Sequence, residues 1–289
     1  MNGKDMEIKR KTEKEICKIK SYYFGSEKAD YIIFPEIEKT GIVTHLFTTR
    51  LGGVSKGEFS QMNLSFTRGD DDKAVMENYR RVACMMGCGL DDFVCADQTH
   101  TTNIRVVTEK DRGKGVTRKK DYTDVDGLIT NIPGIALGTF FADCVPLFVV
   151  DPVHKAIGMS HSGWRGTVHR MGKATLDAME KEYGTKAKDV HVAIGPSICQ
   201  ECYEVSSDVA DEFTEAFGNQ GDRLLYKKEN GKYQLNLQYA NRLIFEEAGV
   251  LSEHIEETDL CTCCNPELFH SHRASHGRRG NLGAFMMLK

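Results

Sequence analysis

The run "VPLFVVDPVHKAIGMSHS", Val145 to Ser162, decides how this chain folds. Its halves, VPLFVVD and AIGMSHS, are almost continuously apolar, the pattern of strands covered on both faces. Asp151-Pro152 between them is a turn signal, so the stretch reads as a strand that doubles back beside itself. Chemistry sits at one end of this hairpin. "ADC" (Ala142 to Cys144) leads into the first strand and His161 lies near the end of the second. The hairpin therefore brings a thiol and an imidazole to the same end of a sheet.

Working outward, "YIIFP", "GIVTHLFTTR", "NIRVVT", "IALGTFF" and "DVHVAIG" have the same β-branched and aromatic character. Four helices are readable between the strands. Asp70 to Asp72 cap the first, which carries Val75, Tyr79, Val82 and Met86 and closes at Gly87. Val168, Met171, Thr175 and Ala178 line the second, which Gly184 stops. Ser206 or Ser207 opens the third, with Val209, Phe213 and Phe217; Ala240, Leu243, Ile244 and Ala248 mark the fourth. "YKKENGKYQLNL" reads as a hairpin turning at Asn230-Gly231. Strands outnumber helices, which predicts an α/β (α+β) fold of mixed β-sheets flanked by helices. No repeat or linker divides the chain, so residues 1–289 are expected to form a single domain, with the charged residues 1–20 a flexible lead-in.

Hydrophobic content of 40% over 289 residues is ordinary for a globular protein. A net charge of -4 and the lack of a basic, aromatic-interleaved stripe speak against nucleic acid as a partner. The first residues lack an apolar signal-peptide core and no apolar run has membrane-spanning length, so the expected location is cytoplasmic, without membrane contact. In that compartment ten cysteines call for metal, catalytic or plain structural readings before disulfides. The sequence sets no oligomeric state.

His100 in "DQTHTTN", Cys144 and His161 are of metal-ligand type. One thiolate and two imidazoles suit Zn²⁺ and leave a fourth position open, as catalytic zinc sites do. Cu²⁺ competes for such a donor set. Two other readings stand beside this one. Buried cysteines and histidines are commonly structural, and Cys144 with His161 as base makes a nucleophilic dyad of the cysteine-hydrolase or amidase kind. His100 discriminates, since a dyad needs no second histidine.

Eight motifs occur in order along the chain: "FTTRLGGVS", "MNLS", "DQTH", "DGLIT", "ADCVPL", "HSGWRGT", "GPSI…CYEV" and "LCTCCNPELFHSHR". Together they resemble the YfiH/DUF152 family of laccase-domain, polyphenol-oxidase-like proteins, from about Thr44 to near the C-terminus. The resemblance implies metal ligation by His100, Cys144 and His161. It also implies phosphorolysis of adenosine, inosine and related purine nucleosides, together with adenosine deamination. The partners are then small-molecule nucleosides and phosphate, and the cofactor Zn²⁺, with Cu²⁺ in its place for an adventitious oxidation of phenols.

Arg50, before a Gly-Gly turn, suits a phosphate or carboxylate oxygen or is a solvated arginine at a turn, and the resemblance makes it a candidate for phosphate or substrate contact. Asn63 joins it and Cys144 as a catalytic candidate, for a ribose hydroxyl or the orientation of a ligand. Arg165 and Arg273 are candidate substrate contacts, while Gln98 and Asp143 are candidates for holding a ligand imidazole. His270, His272 and Ala274 depart from the family's Phe-Phe-Ser-Tyr-Arg-Arg run, and the extra histidines read as wet surface groups. Two Cys-x-x-Cys pairs, Cys199/Cys202 and Cys261/Cys264, are a rival zinc site, but their separation exceeds zinc-ribbon spacing and reduced thiols are the expected state.

Overall fold

Val145–Asp151 and Ala156–Ser162 pair antiparallel as expected, with Pro146 opposite His161 and Asp151 opposite Ala156. In the computed structural model, which describes residues 7–289, they are strands β8 and β9. Their sheet has the order β14-β10-β8-β9-β6-β5. The other members are β14 (Ile255–Glu257), β10 (His191–Ile194), β6 (Gly127–Thr130) and β5 (Ile104–Val106). A second six-stranded sheet has the order β1-β2-β3-β15-β7-β4. It comprises β1 (Lys18–Phe24), β2 (Glu27–Ile33), β3 (Val43–Thr48), β15 (Leu282–Leu288), β7 (Ala136–Phe141) and β4 (Phe93–Cys95). Both are mixed: β10/β14, β5/β6 and β4/β7 are parallel, and the remaining pairs antiparallel. A small third sheet joins β11 (Glu204–Val205), β13 (Tyr233–Leu235) and β12 (Leu225–Lys227).

The continuous apolar runs are explained by burial on both faces. Along β8, Phe148 and Val150 enter a core shared with Phe47, Leu137 and Met286 of the other sheet, whereas Val145, Leu147 and Val149 face the helices outside. β15 divides in the same period of two: Leu282, Ala284 and Met286 point into the core between the sheets, Phe285 and Met287 outward. Helices cover both outer faces. Asp72–Met86 packs Val75, Tyr79 and Val82 on one; Met171–Tyr183, Ser207–Phe217 and Leu237–Glu247 cover the other. The fold is thus the expected mixed α/β arrangement of sheets flanked by helices.

The first helix begins and ends where the sequence signals lie: Asp71 accepts from the Lys73 N–H, and Gly87 closes it at φ 70°. The second is divided. Val168 belongs to a short helix, Trp164–Val168, and the chain turns at Arg170 with φ 62° before Met171–Tyr183 begins. Strand β15, at the centre of its sheet, was passed over in the sequence although "LGAFMML" is an unbroken apolar run.

The segment 1–20, expected to be a flexible lead-in, is anchored where it is described; residues 1–6 lie outside the described part. Arg10 pairs with buried Asp259 at 2.5 Å and bridges Leu260, Cys17 is fully buried, and Lys18 begins β1. The correction has a simple cause: a charged stretch binds to the body when a buried carboxylate awaits its arginine. No helix among the described residues is long and apolar enough to cross a membrane.

Gly158 in β9 is the seat of helix Met171–Tyr183, since a Cβ there would lie 2.9 Å from Thr175 Cγ2 and 3.0 Å from Met179 Sδ. Gly158→Val is expected to lower stability by ~1–3 kcal/mol through overpacking. Chemical denaturation checks this, and an unchanged midpoint would contradict the packing assigned here.

Candidate metal centre and cleft

The hairpin places Cys144 immediately before β8 and His161 near the end of β9, while His100 arrives on the loop after β4. One donor atom from each lies within 4.8 Å of those of the other two. Cys144 Sγ is 3.9 Å from His100 Nε2, and the two imidazoles meet edge-on at a centroid distance of 4.9 Å. His161 is buried, Cys144 half-buried and His100 exposed, so the cluster opens to one side.

Asp126, the first residue of "DGLIT", organises this cluster. Its Oδ1 pairs with His161 Nδ1 at 2.8 Å and accepts the His100 N–H at 3.1 Å. Its Oδ2 accepts the N–H groups of Thr99 at 3.0 Å and Thr101 at 2.9 Å. A carboxylate at Nδ1 fixes the proton there and turns Nε2 toward the cluster. Burial alone would raise the Asp126 pKa, but His161 and these donors hold it down at about 2. Burial likewise works against charge on Cys144 and His161, yet each stabilises the other's ion: the thiol is lowered to about 6, the imidazole raised to about 9. A thiolate at neutral pH is what a metal ligand requires.

Local backbone strain serves the same geometry. His100 and Asp143 adopt positive φ, 70° and 89°, which non-glycine residues rarely do. Gly163 is needed for space, because a Cβ there would lie 2.8 Å from His100 Cδ2 and 3.2 Å from Cys144 Sγ.

The cluster lies on the wall of a cleft of about 350 Å³, within the size range of small-molecule sites. Phe66, Phe140 and Phe141 provide aromatic lining, and Lys120 and Arg279 provide the cations. Lys120 is engaged by Asp97 and the Ala96 carbonyl. Arg279 donates through Nη1 to Asn281 and leaves its Nε without a partner. Burial lowers its pKa to about 10, so it stays cationic at neutral pH. Arg279 also lines an adjoining cavity of about 220 Å³, shared with Arg50 and His270.

The other candidates are placed as follows. The Arg50 guanidinium donates to the Ser60 carbonyl at 2.8 and 2.5 Å and to the Pro266 carbonyl at 2.9 Å. Asn63 is buried; its amide reaches Asp70 at 2.9 Å and its oxygen accepts the N–H groups of Ser65 and Asn281. Arg165 is exposed and lies over the Trp164 ring at 4.3 Å. Arg273 donates to the Cys202 and Glu204 carbonyls, both at 2.9 Å. Gln98 lines the cleft but exchanges two 2.7 Å bonds with the Phe140 backbone, and Asp143 accepts from Thr262 and the Arg273 N–H. Neither Gln98 nor Asp143 holds an imidazole; Asp126 does. His272 is exposed as expected, whereas His270 is buried, with neither ring nitrogen hydrogen-bonded.

Asp126 and Arg279 were missed at the level of sequence. "DGLIT" was visible as a motif, but an aspartate before a strand carries no sign of which loop it will bind. Asp126→Asn should weaken metal retention at the cluster by ~10–100-fold, the usual cost of losing a carboxylate behind a ligand histidine. Chelator competition measures it, and unchanged retention would remove Asp126 from this role.

The family model described as multi-copper polyphenol oxidoreductase laccase matches residues 44–289. The chain is 38% identical over 246 residues to the purine nucleoside phosphorylase YlmD of Bacillus subtilis (strain 168), covering 84% of this chain and 87% of that protein. It is 35% identical over 229 residues to the adenosine deaminase RL5 of an unknown prokaryotic organism, covering 78% and 87%. The solved structure of the hypothetical protein YfiH of Bacillus licheniformis superposes with a TM-score of 0.85 at 35% identity, over 90% of this chain and 96% of that one. With its fold, its ordered motifs and these relatives in agreement, the chain belongs to the YfiH/DUF152 family of laccase-domain proteins.

Proposed function

We propose that the protein is a metal-dependent purine nucleoside phosphorylase with adenosine deaminase activity, and that His100, Cys144 and His161 hold its metal. The observation that carries the reading is a two-imidazole, one-thiolate cluster on the wall of a nucleoside-sized cleft. A relative named as a phosphorylase and one named as a deaminase support it. The donor set suits Zn²⁺ and leaves room for a further ligand.

A divalent ion bound there supplies Lewis acidity at the cleft wall. The chain's own residues do the rest by positioning. Asp126 keeps His161 in one tautomer and pins the backbone beneath His100. Phe66 and Phe140 offer faces to a purine, and Arg279 offers a charged fork to phosphate. In phosphorolysis a phosphate oxygen forms the new bond to C1′ as the bond to the base nitrogen breaks, and the base leaves with a proton. In deamination water adds at C6 and ammonia departs. Arg50 acts from behind: it shares with Arg279 the lining of the cavity that adjoins the cleft, and its guanidinium ties the Ser60 and Pro266 backbones together. Asn63 acts similarly by fixing the strand entry at Asn281, while Arg165 lies over Trp164 and Arg273 over Tyr203, outside the lining of the cleft.

Two observations support second readings. Cys144, His161 and Asp126 also have the order of a nucleophile, its base and the group that orients the base, the constellation of a cysteine hydrolase. Against that reading, His100 brings a second imidazole to the same sulfur. The family model's description favours copper, which this donor set also accepts and which would support phenol oxidation. Metal analysis of the purified protein separates zinc from copper. Alkylation of Cys144 that is blocked by metal and released by chelator separates ligand from free nucleophile.

Adenosine incubated with zinc-loaded protein should yield adenine only when phosphate is present, and inosine without it; Cys144→Ala should abolish both products. Arg279→Ala should raise KM for phosphate by ~10–100-fold, as expected for a lost charge-assisted hydrogen bond. Product chromatography and initial rates test both statements, and an unchanged phosphate KM would place the anion elsewhere.

A further inference from the structure

A second group of metal-binding side chains lies in Cys199, Cys202, Cys261 and Cys264. Their spacing speaks against a shared site, but the fold removes the objection. β10 and β14 run parallel side by side, and the chain leaving each carries one Cys-x-x-Cys pair. There Ser197 bridges Cys261, and the Thr262 N–H donates to the Ser197 carbonyl at 3.1 Å.

The four sulfurs all lie within 4.8 Å of one another. Cys264 Sγ is 3.8 Å from Cys199 Sγ and 3.4 Å from Cys202 Sγ. A Zn–S bond of about 2.3 Å sets tetrahedral sulfurs about 3.8 Å apart, so the four are spaced to hold one zinc-sized ion. They are too far apart to be disulfide-bonded, where sulfurs sit at about 2.05 Å. They are also too close for an iron–sulfur cluster, whose irons and sulfides would stand between them. Backbone N–H groups of Cys199 and Cys264 point at Cys261 Sγ, at 3.2 and 3.4 Å, and such donors favour a thiolate. Cys263, between the paired cysteines, is not part of the set.

We propose that Cys199, Cys202, Cys261 and Cys264 form a closed tetrathiolate site for one Zn²⁺, distinct from the cluster in the cleft. With every position filled by sulfur, its role is structural. It ties together two chain segments that both contact Asp143, the residue before Cys144, one of them through the Ile198 N–H donating to the Asp143 carbonyl at 3.0 Å. Arg273, on the second segment, donates to the Cys202 carbonyl, and Thr262 donates to Asp143 at 2.6 Å, next to Cys144. An ion here holds the wall from which Cys144 projects.

The test is zinc content by elemental analysis of the full chain, with Co²⁺ spectra of exchanged protein. His161→Ala should retain one ion per chain, with the intense sulfur-to-cobalt charge-transfer bands of a tetrathiolate. Cys264→Ser should lose those bands and one zinc, and Cys263→Ser should keep both. The loss in Cys264→Ser is read independently of the cleft, so failure of the cleft centre leaves this result interpretable. Should Cys264→Ser not fold, native mass spectrometry of His161→Ala decides: chain plus one zinc supports the site. Zinc-free chain with all ten thiols titrating, or a chain two mass units light from a disulfide, overturns it.

Discussion

A single buried carboxylate, that of Asp126, sets the geometry on which the cleft cluster depends. It receives His161 from the returning strand of the central hairpin and three successive backbone N–H groups from the loop carrying His100. Two segments far apart in the chain are thereby fastened to one side chain, which fixes the His161 ring and the backbone that carries His100. The arrangement is stable because both carboxylate oxygens meet donors, and an ionised carboxylate makes stronger hydrogen bonds than a neutral acceptor. Preorganisation of this kind separates a site from a chance meeting of ligand-type residues.

The sheets supply the rigidity behind that contact. β8 is buried on both faces, between the inter-sheet core and the outer helices, so the hairpin end bearing Cys144 and His161 has little freedom to shift. Positive φ at His100 and Asp143 is held against this support. Gly163 leaves open the space the donor groups occupy. The motif "HSGWRGT" therefore combines a ligand, a void and a helix start, and each of the three has a separate physical reason.

Arginine illustrates how residue type and role part company. Arg50 is the sequence's candidate for an anion, and Arg165 and Arg273 its candidates for substrate contact. In the folded chain Arg50 and Arg273 spend their donors on backbone carbonyls, acting as cross-ties between segments, and Arg165 lies over Trp164. Arg279, in "GRRG", reaches the cleft with donor capacity to spare. Sequence shows which side chains have the right chemistry. It does not show whose hydrogen-bonding capacity has already been consumed.

What the sequence determined by itself is whatever depends on local periodicity and order: the central hairpin, the capped helix ending at Gly87, the Asn230-Gly231 turn, and the ordered motifs naming His100, Cys144 and His161. Those signals are local because strand alternation, capping and turn chemistry involve neighbours along the chain. Only the tertiary structure decided the rest. It put β15 at the centre of a sheet, docked Arg10 on Asp259, and set Asp126 behind the cluster. It also brought two cysteine pairs together at the ends of adjacent parallel strands. Each of these contacts joins residues distant in the chain. Their pairing is chosen by which faces the core buries and which polar groups are left needing partners, and no local pattern encodes either.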